Sequence, residues 1–334
     1  MSGSLLVTLI AVVSVLAAPV TELNRCANSV TPSELIALES QFAIDYQLAI
    51  ANATARVTGP IGLQRWTVHV AWHVIQESTT LTGGSISNDD ISSSISALNQ
   101  HYANTGFYFV LDGISTTTNS DWFRSVDAGN SQQTAMKKAL HVGDARKLNV
   151  YSVGFKNIGL LGYSTFPWDY KGNPTDDGVV ILYSSIPGGS TANYNQGKTL
   201  THEVGHWLGL YHVFSDVGSC TDNDAVADTP IQSAKTRGCP SSQDSCPKSP
   251  GLDSIHNFMD YSDDRCMTEF TSGQAERMKA QVLTYRGIEG LPYIPTLTLP
   301  PGVTIPFPTL ITKSVSTTSR WLIVPTFPIT FHGL

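Results

Sequence analysis

From Thr67 to Ile75 apolar and polar positions alternate: Val68, Val70, Trp72 and Val74 fall on one side, and Thr67, His69, Ala71 and His73 on the other. A period of two predicts a strand. Further on the period lengthens, and Ile91, Ile95, Leu98 and Tyr102 share one face of a helix predicted over about Asp89–Tyr102. Short apolar runs predict strands at about Phe107–Leu111, Leu148–Val153 and Val179–Tyr183, with a short helix near Gln132–His141. Strands and helices alternate, which points to an α/β sandwich built on one twisted sheet. Upstream, Thr31-Pro32-Ser33-Glu34 reads as a helix start, with a Thr cap, Pro in the first turn and Glu at the capping-box position. That helix is expected to run to about Ile50.

The two ends follow other rules. Residues 5–17 form one uncharged apolar run followed by small residues, shorter than the roughly 20 residues that span a bilayer. It reads as a cleaved signal peptide over 1–17, and so predicts a secreted, extracellular protein. No second run is long enough for a membrane span. Residues 18–60 form a separate N-terminal segment, and 61–290 hold the alternating elements. From about Leu291 the composition shifts: eight of the 18 prolines lie in the last 44 residues, mixed with Thr and Ser. Closely spaced prolines break helices and central strands, so 291–334 is expected to be a disordered tail.

Composition narrows the function. Charged residues are 14% of the chain and its net charge is −7, with no Lys/Arg cluster, which argues against nucleic acid as a partner. In a secreted chain, Cys220, Cys239, Cys246 and Cys266 suggest two local bridges in one of three pairings, leaving Cys26 as an odd thiol. Asn52-Ala53-Thr54 is a glycosylation sequon.

The chemistry sits in His202-Glu203-x-x-His206-x-x-Gly209-x-x-His212. Positions 202 and 206 are one helical turn apart, so both imidazoles leave the same face and can bind Zn²⁺. Leu200, Val204, Trp207 and Leu208 can bury the other faces. Gly209 can end the helix in the left-handed conformation and return His212 as a third ligand. Three protein ligands leave a fourth position open for water, as in a catalytic site. Glu203, beside a ligand, is placed to be the general base on that water. A silent zinc-containing binding or adhesion protein would have no need of Glu203, and remains the alternative from another class. A zinc hydrolase acting on non-peptide substrates is a third reading.

With Asn257-Phe258-Met259-Asp260-Tyr261 downstream, the chain resembles the metzincin zinc endopeptidases. Val213 after the third His, and the stretch from Asn257 to Met278, make it most similar to the pappalysin (cytophagalysin) family, and within it to secreted fungal members. The resemblance implies a metzincin-type α/β (α+β) catalytic domain. Such a domain has a twisted, mostly parallel sheet, a long zinc-binding helix, and a loop-rich, disulfide-stapled lower subdomain. It implies that Met259 floors the metal site and that the Tyr261 phenol supports a developing oxyanion. It further implies the bridges Cys220–Cys246 and Cys239–Cys266.

The Asp- and Thr-rich loop after Cys220 suits Ca²⁺, and the family points to Asp224 and Thr229, with main-chain oxygens such as Ala227. Family members carry a pro-segment cysteine that occupies the open zinc position, which makes Cys26 the candidate for latency, although Ala27 follows it where the family usually has Gly. By analogy, Gly162–Pro167 is the strand that would pair with extended substrate. Asp263 or Asp264 could lie at the base of the pocket after the scissile bond and favour basic residues. The expected partners are protein or peptide substrates, cleaved by a monomer.

Overall fold

A computed structural model of the chain describes residues 23–54, 63–156, 158–221 and 224–293. The predicted signal peptide and nearly all of the predicted tail fall outside them. Asn52 lies in the last turn of a helix whose backbone is described there.

The alternating stretch forms strand β2 (Leu63–Gln76), longer at both ends than its sequence pattern. Val68, Val70, Trp72 and Val74 are buried on one face, and the indole of Trp72 donates to Ser152 Oγ at 3.2 Å. Helix α2 (Asn88–His101) begins in a capping box, Ser87 with Asp90, and buries Ile91, Ile95 and Leu98. Strands β3 (Phe107–Thr118) and β4 (Lys147–Val153) flank β2 on its two sides, both parallel to it. Helices α3 (Ser120–Ser125) and α4 (Ser131–Leu140) lie between β3 and β4 in sequence. The two crossovers run in opposite directions along the sheet. Right-handed connection therefore puts α2 on one face and α3–α4 on the other.

Beyond β4 come β6 (Val179–Leu182), parallel to it, and β5 (Leu160–Ser164), antiparallel to β6. The edge of β5 is covered by β1 (Asn24–Cys26), from the N-terminal segment, so the sheet order is β1-β5-β6-β4-β2-β3. A last strand, β7 (Leu291–Tyr293), pairs antiparallel with the start of β2.

Helix α5 (Lys198–Trp207) carries the zinc motif and packs on β5 and β6. The sequence pattern did not reveal helix α6 (Ser272–Arg286), which starts in a Thr271/Gln274 capping box and stops at left-handed Gly287. Residues 208–271 between them are mostly loop. The disulfides Cys220–Cys246 and Cys239–Cys266 staple that stretch in the pairing the resemblance implied. Helix α1 (Pro32–Thr54) lies along α6. Among the described residues, no helix is long and apolar enough to cross a membrane.

Candidate metal centre

Every residue of α5 is buried. The helix closes with two bonds of a Schellman turn: Gly209 N to His206 O at 2.8 Å and Leu210 N to Gly205 O at 2.9 Å. Gly209 has φ +100°, and a Cβ there would lie 2.5 Å from Gln281 Cγ. The reversed chain brings His212 back beside the helix. Ring centroids of His202, His206 and His212 are then 4.7–5.2 Å apart.

The outer bonds fix the tautomers. Nδ1 of His202 meets Phe258 O at 2.7 Å, Nδ1 of His206 meets Leu210 O at 2.7 Å, and Nδ1 of His212 meets Asp216 Oδ1 at 2.9 Å. Carbonyl and carboxylate oxygens only accept, so each Nδ1 carries a hydrogen and Nε2 is the atom each ring turns to the centre. Burial holds His202 and His206 well below the usual imidazole range, which keeps them neutral. His202 Nε2 has no hydrogen-bond partner, and the Nε2 atoms of His206 and His212 face each other at 3.2 Å. Three imidazole nitrogens converging on one point, one of them buried without a hydrogen-bond partner among the described residues, fit zinc.

The surroundings hold this set in place. A Cβ on Gly205 would come within 2.4 Å of Met259 Sδ, so the Met259 turn packs directly under α5. Asp260 anchors that turn by accepting from Thr236 N at 2.9 Å and Gln232 Nε2 at 3.1 Å. Behind α5, Asp177 takes both Nη atoms of Arg286 (2.9 and 3.0 Å) and Trp207 Nε1 at 3.0 Å, while Arg286 Nε donates to Trp207 O. Glu203 is fully buried and passes β5 at Gly162, where a Cβ would meet Glu203 Cγ at 2.8 Å. Its Oε1 has no partner among the described residues, and burial pushes its carboxyl well above the ordinary range. Tyr261 has its ring 5.6 Å from His202 and 5.1 Å from His212.

The fourth corner is Cys26. Its sulfur and one ligand atom from each of the three histidines all lie within 4.8 Å of one another. The thiol is 3.3 Å from Glu203 Oε2, and the Tyr261 hydroxyl donates to Cys26 O at 2.9 Å. On one side Arg25 Nη2 donates to Asp264 Oδ1 (2.9 Å) and Ser262 O (2.7 Å), with both side chains buried. On the other, the Asn28 amide pairs with Ser164 N and O as a strand residue would, at 2.9 and 2.8 Å. Of the two candidate aspartates, Asp264 is the one in contact with this segment. Asp263 lies 3.8 Å from the mostly exposed Arg265.

Asp224 and Thr229 are also brought together. The Thr229 hydroxyl donates to Asp224 Oδ1 at 2.6 Å, and burial raises Asp224 to about 6. Asp224 Oδ2 has no partner among the described residues. The sequence reading missed Asp216, Asn28 and the Asp177–Arg286 pair. Nothing in the sequence pattern gives Arg25 a role. Asp216, four residues after His212, is the only one of these with a local signal.

The fold and the three-histidine cleft define a zinc metalloendopeptidase of metzincin type. The family model of peptidase M43, pregnancy-associated plasma protein-A, matches residues 131–283. An extracellular metalloprotease of Arthroderma benhamiae is 45% identical over 253 residues, which is 74% of this chain and 86% of that protein. One from Sordaria macrospora is 47% identical over 224 residues (66% and 75%). Mature mirolysin of Tannerella forsythia, solved with a cleaved peptide, is 29% identical with TM-score 0.54 over 66% of this chain and 96% of that one. A promirolysin mutant is 28% identical with TM-score 0.60, over 78% and 94%. The chain belongs to the peptidase M43 (pappalysin) family.

Proposed function

We propose that the chain is the latent precursor of a secreted endopeptidase, with Glu203 as general base, Tyr261 as oxyanion donor and Cys26 as the group that excludes water. The observation that carries this is the Cys26 thiol, packed into the three-histidine cluster and against Glu203. Secretion is supported by the apolar run at 5–17 and by relatives named extracellular metalloproteases.

Zinc held by His202, His206 and His212 supplies Lewis acidity, which activates water and polarises the scissile carbonyl. Once residues 18–60 are removed, Glu203 Oε2 faces the space the thiol held. It takes a proton from the attacking water as the carbon–oxygen bond forms, and returns it to the amine nitrogen as the carbon–nitrogen bond breaks. The Tyr261 hydroxyl, released from Cys26 O, donates to the developing oxyanion. The edge of β5, which parallel strand β1 covers in the precursor, pairs with extended peptide running the opposite way, antiparallel to β5. Asp264 receives the side chain after the scissile bond and favours a basic one, because Arg25 already fills that place.

The test is hydrolysis of an unfolded protein by zinc-loaded, segment-free enzyme, wild type beside Glu203→Ala. A loss of orders of magnitude in the variant with zinc content unchanged is expected. Equal rates in both would remove Glu203 from the role. Cys26→Ala in the uncleaved chain should give activity where the wild type has none.

A further inference from the structure

The N-terminal segment makes a second imprint on the domain, away from the cluster. The face of α1 turned to the domain carries Leu38, Glu39 and Phe42. Glu39 accepts from both terminal nitrogens of Arg277 (2.6 and 3.0 Å) and from the Tyr211 hydroxyl at 3.1 Å. Arg277 is fixed from the domain side, since its Nε donates to Gly209 O at 2.9 Å. Its guanidinium lies 4.8 Å from the Tyr211 ring, and the Phe42 ring sits 6.1 Å from that of Tyr285. Trp168 stacks on Phe166 at 4.6 Å and reaches Tyr211 at 5.6 Å. Phe166 in turn touches the ring of His206 edge-on at 5.3 Å. The floor under α1 is thus an aromatic strip holding one positioned arginine, and it runs straight into the metal centre.

We propose that this floor is a second substrate-binding site, for a segment of the substrate polypeptide that carries an acidic and an aromatic side chain. The proposal rests on the reading that residues 18–60 are removed to give the working enzyme. The path of the segment supplies the geometry. Arg25 stands at Asp264, Cys26 at the centre and Asn28 at Ser164, after which β5 continues into Phe166 and Trp168. The floor therefore lies across the centre from the Asp264 pocket, and an extended peptide reaches it about four to eight residues from the bond cut.

When α1 leaves, Arg277 loses both of its carboxylate bonds while Gly209 O still holds it at the surface. A guanidinium set in a fork, beside aromatic rings, selects a carboxylate and an aromatic group together. Glu39 and Phe42 are that pair in the precursor.

The test uses the full chain with a specific protease site placed between residues 54 and 63, cleaved and freed of the segment. Labelled peptides share one arginine after the scissile bond: a short one, a long one carrying Phe and Glu upstream, and the long one with Lys for Glu. In Glu203→Ala enzyme, fluorescence anisotropy should give about tenfold tighter binding of the Glu peptide than the Lys peptide, and Arg277→Gln should erase that ratio. In active enzyme the same ratio should appear in kcat/KM. Equal binding of the two long peptides would overturn the site, whatever the hydrolysis results. A Glu preference in binding with no cleavage of any peptide would leave the site standing and sink the peptidase reading instead. A preference that survives Arg277→Gln would also overturn it.

Discussion

Arg25→Ala tests how the N-terminal segment is held. The wild-type guanidinium is buried against Asp264, whose side chain is fully inaccessible, and lies 4.9 Å from the Tyr194 ring. Removing it deletes the bonds to Asp264 Oδ1 and Ser262 O and leaves Asp264 Oδ1 without its cationic partner. Asp264 Oδ2 keeps its bond from Gln196 N at 2.9 Å. Stripping one partner from a buried pair costs about 3–5 kcal/mol. Among the described residues Arg25 Nε and Nη1 have no hydrogen-bond partner, which places this pair at the lower end. We therefore expect about 3 kcal/mol, or roughly 150-fold weaker holding of the segment once the chain is cut between α1 and β2. The assay is inhibition of the cleaved enzyme by the isolated segment, wild type against Arg25→Ala. Arg25→Lys should fall between them, because it keeps the charge but not the fork. Inhibition constants within threefold of each other would refute the claim that Arg25 is a main anchor.

Three further outcomes follow. Asp216→Ala removes the acceptor that fixes the His212 tautomer, and zinc affinity should drop about 10- to 100-fold in a chelator competition. Arg286→Ala leaves Asp177 buried and unpaired behind α5. It should cost about 3–5 kcal/mol, read as a fall in Tm of about 6–20 °C. Burial, with Lys198 nearby, lowers His101 to about 4 although Asp264 opposes the shift. The unfolded chain then binds the proton first, so this contribution to stability is intact above about pH 6.5 and is lost as pH falls towards about 4. Melting curves of wild type and His101→Asn should diverge in that window, and parallel curves would contradict it.

The parts of the molecule legible in the sequence are those with local periodicity. The alternation around Trp72, the face from Ile91 to Leu98 and the spacing of His202, His206, Gly209 and His212 each encode a geometry within a few turns of chain. Sequence could reach Asp216 by the same logic, as the fourth residue after a ligand. The brace behind α5 could not be reached, because Asp177 and Arg286 are 109 residues apart and meet only after the sheet forms. Helix α6 escaped for a related reason. Its buried positions include Gln274, Arg277, Gln281 and Arg286, polar side chains that read as a solvated surface until their partners are known. The contact of Arg25 with Asp264 spans 239 residues, which no local pattern gives.

The segment's anchors at Asp264, the metal cluster and Arg277 all belong to one chain, so their strength depends on connectivity. While the link between α1 and β2 is intact, the N-terminal segment is presented to the cluster at an effective concentration on the order of millimolar, whatever the dilution of the protein. A single backbone cut breaks none of the described contacts, yet it makes the segment's occupancy of the cluster subject to mass action. On the proposed latency, the same nicked molecule stays blocked where it is concentrated and opens on dilution.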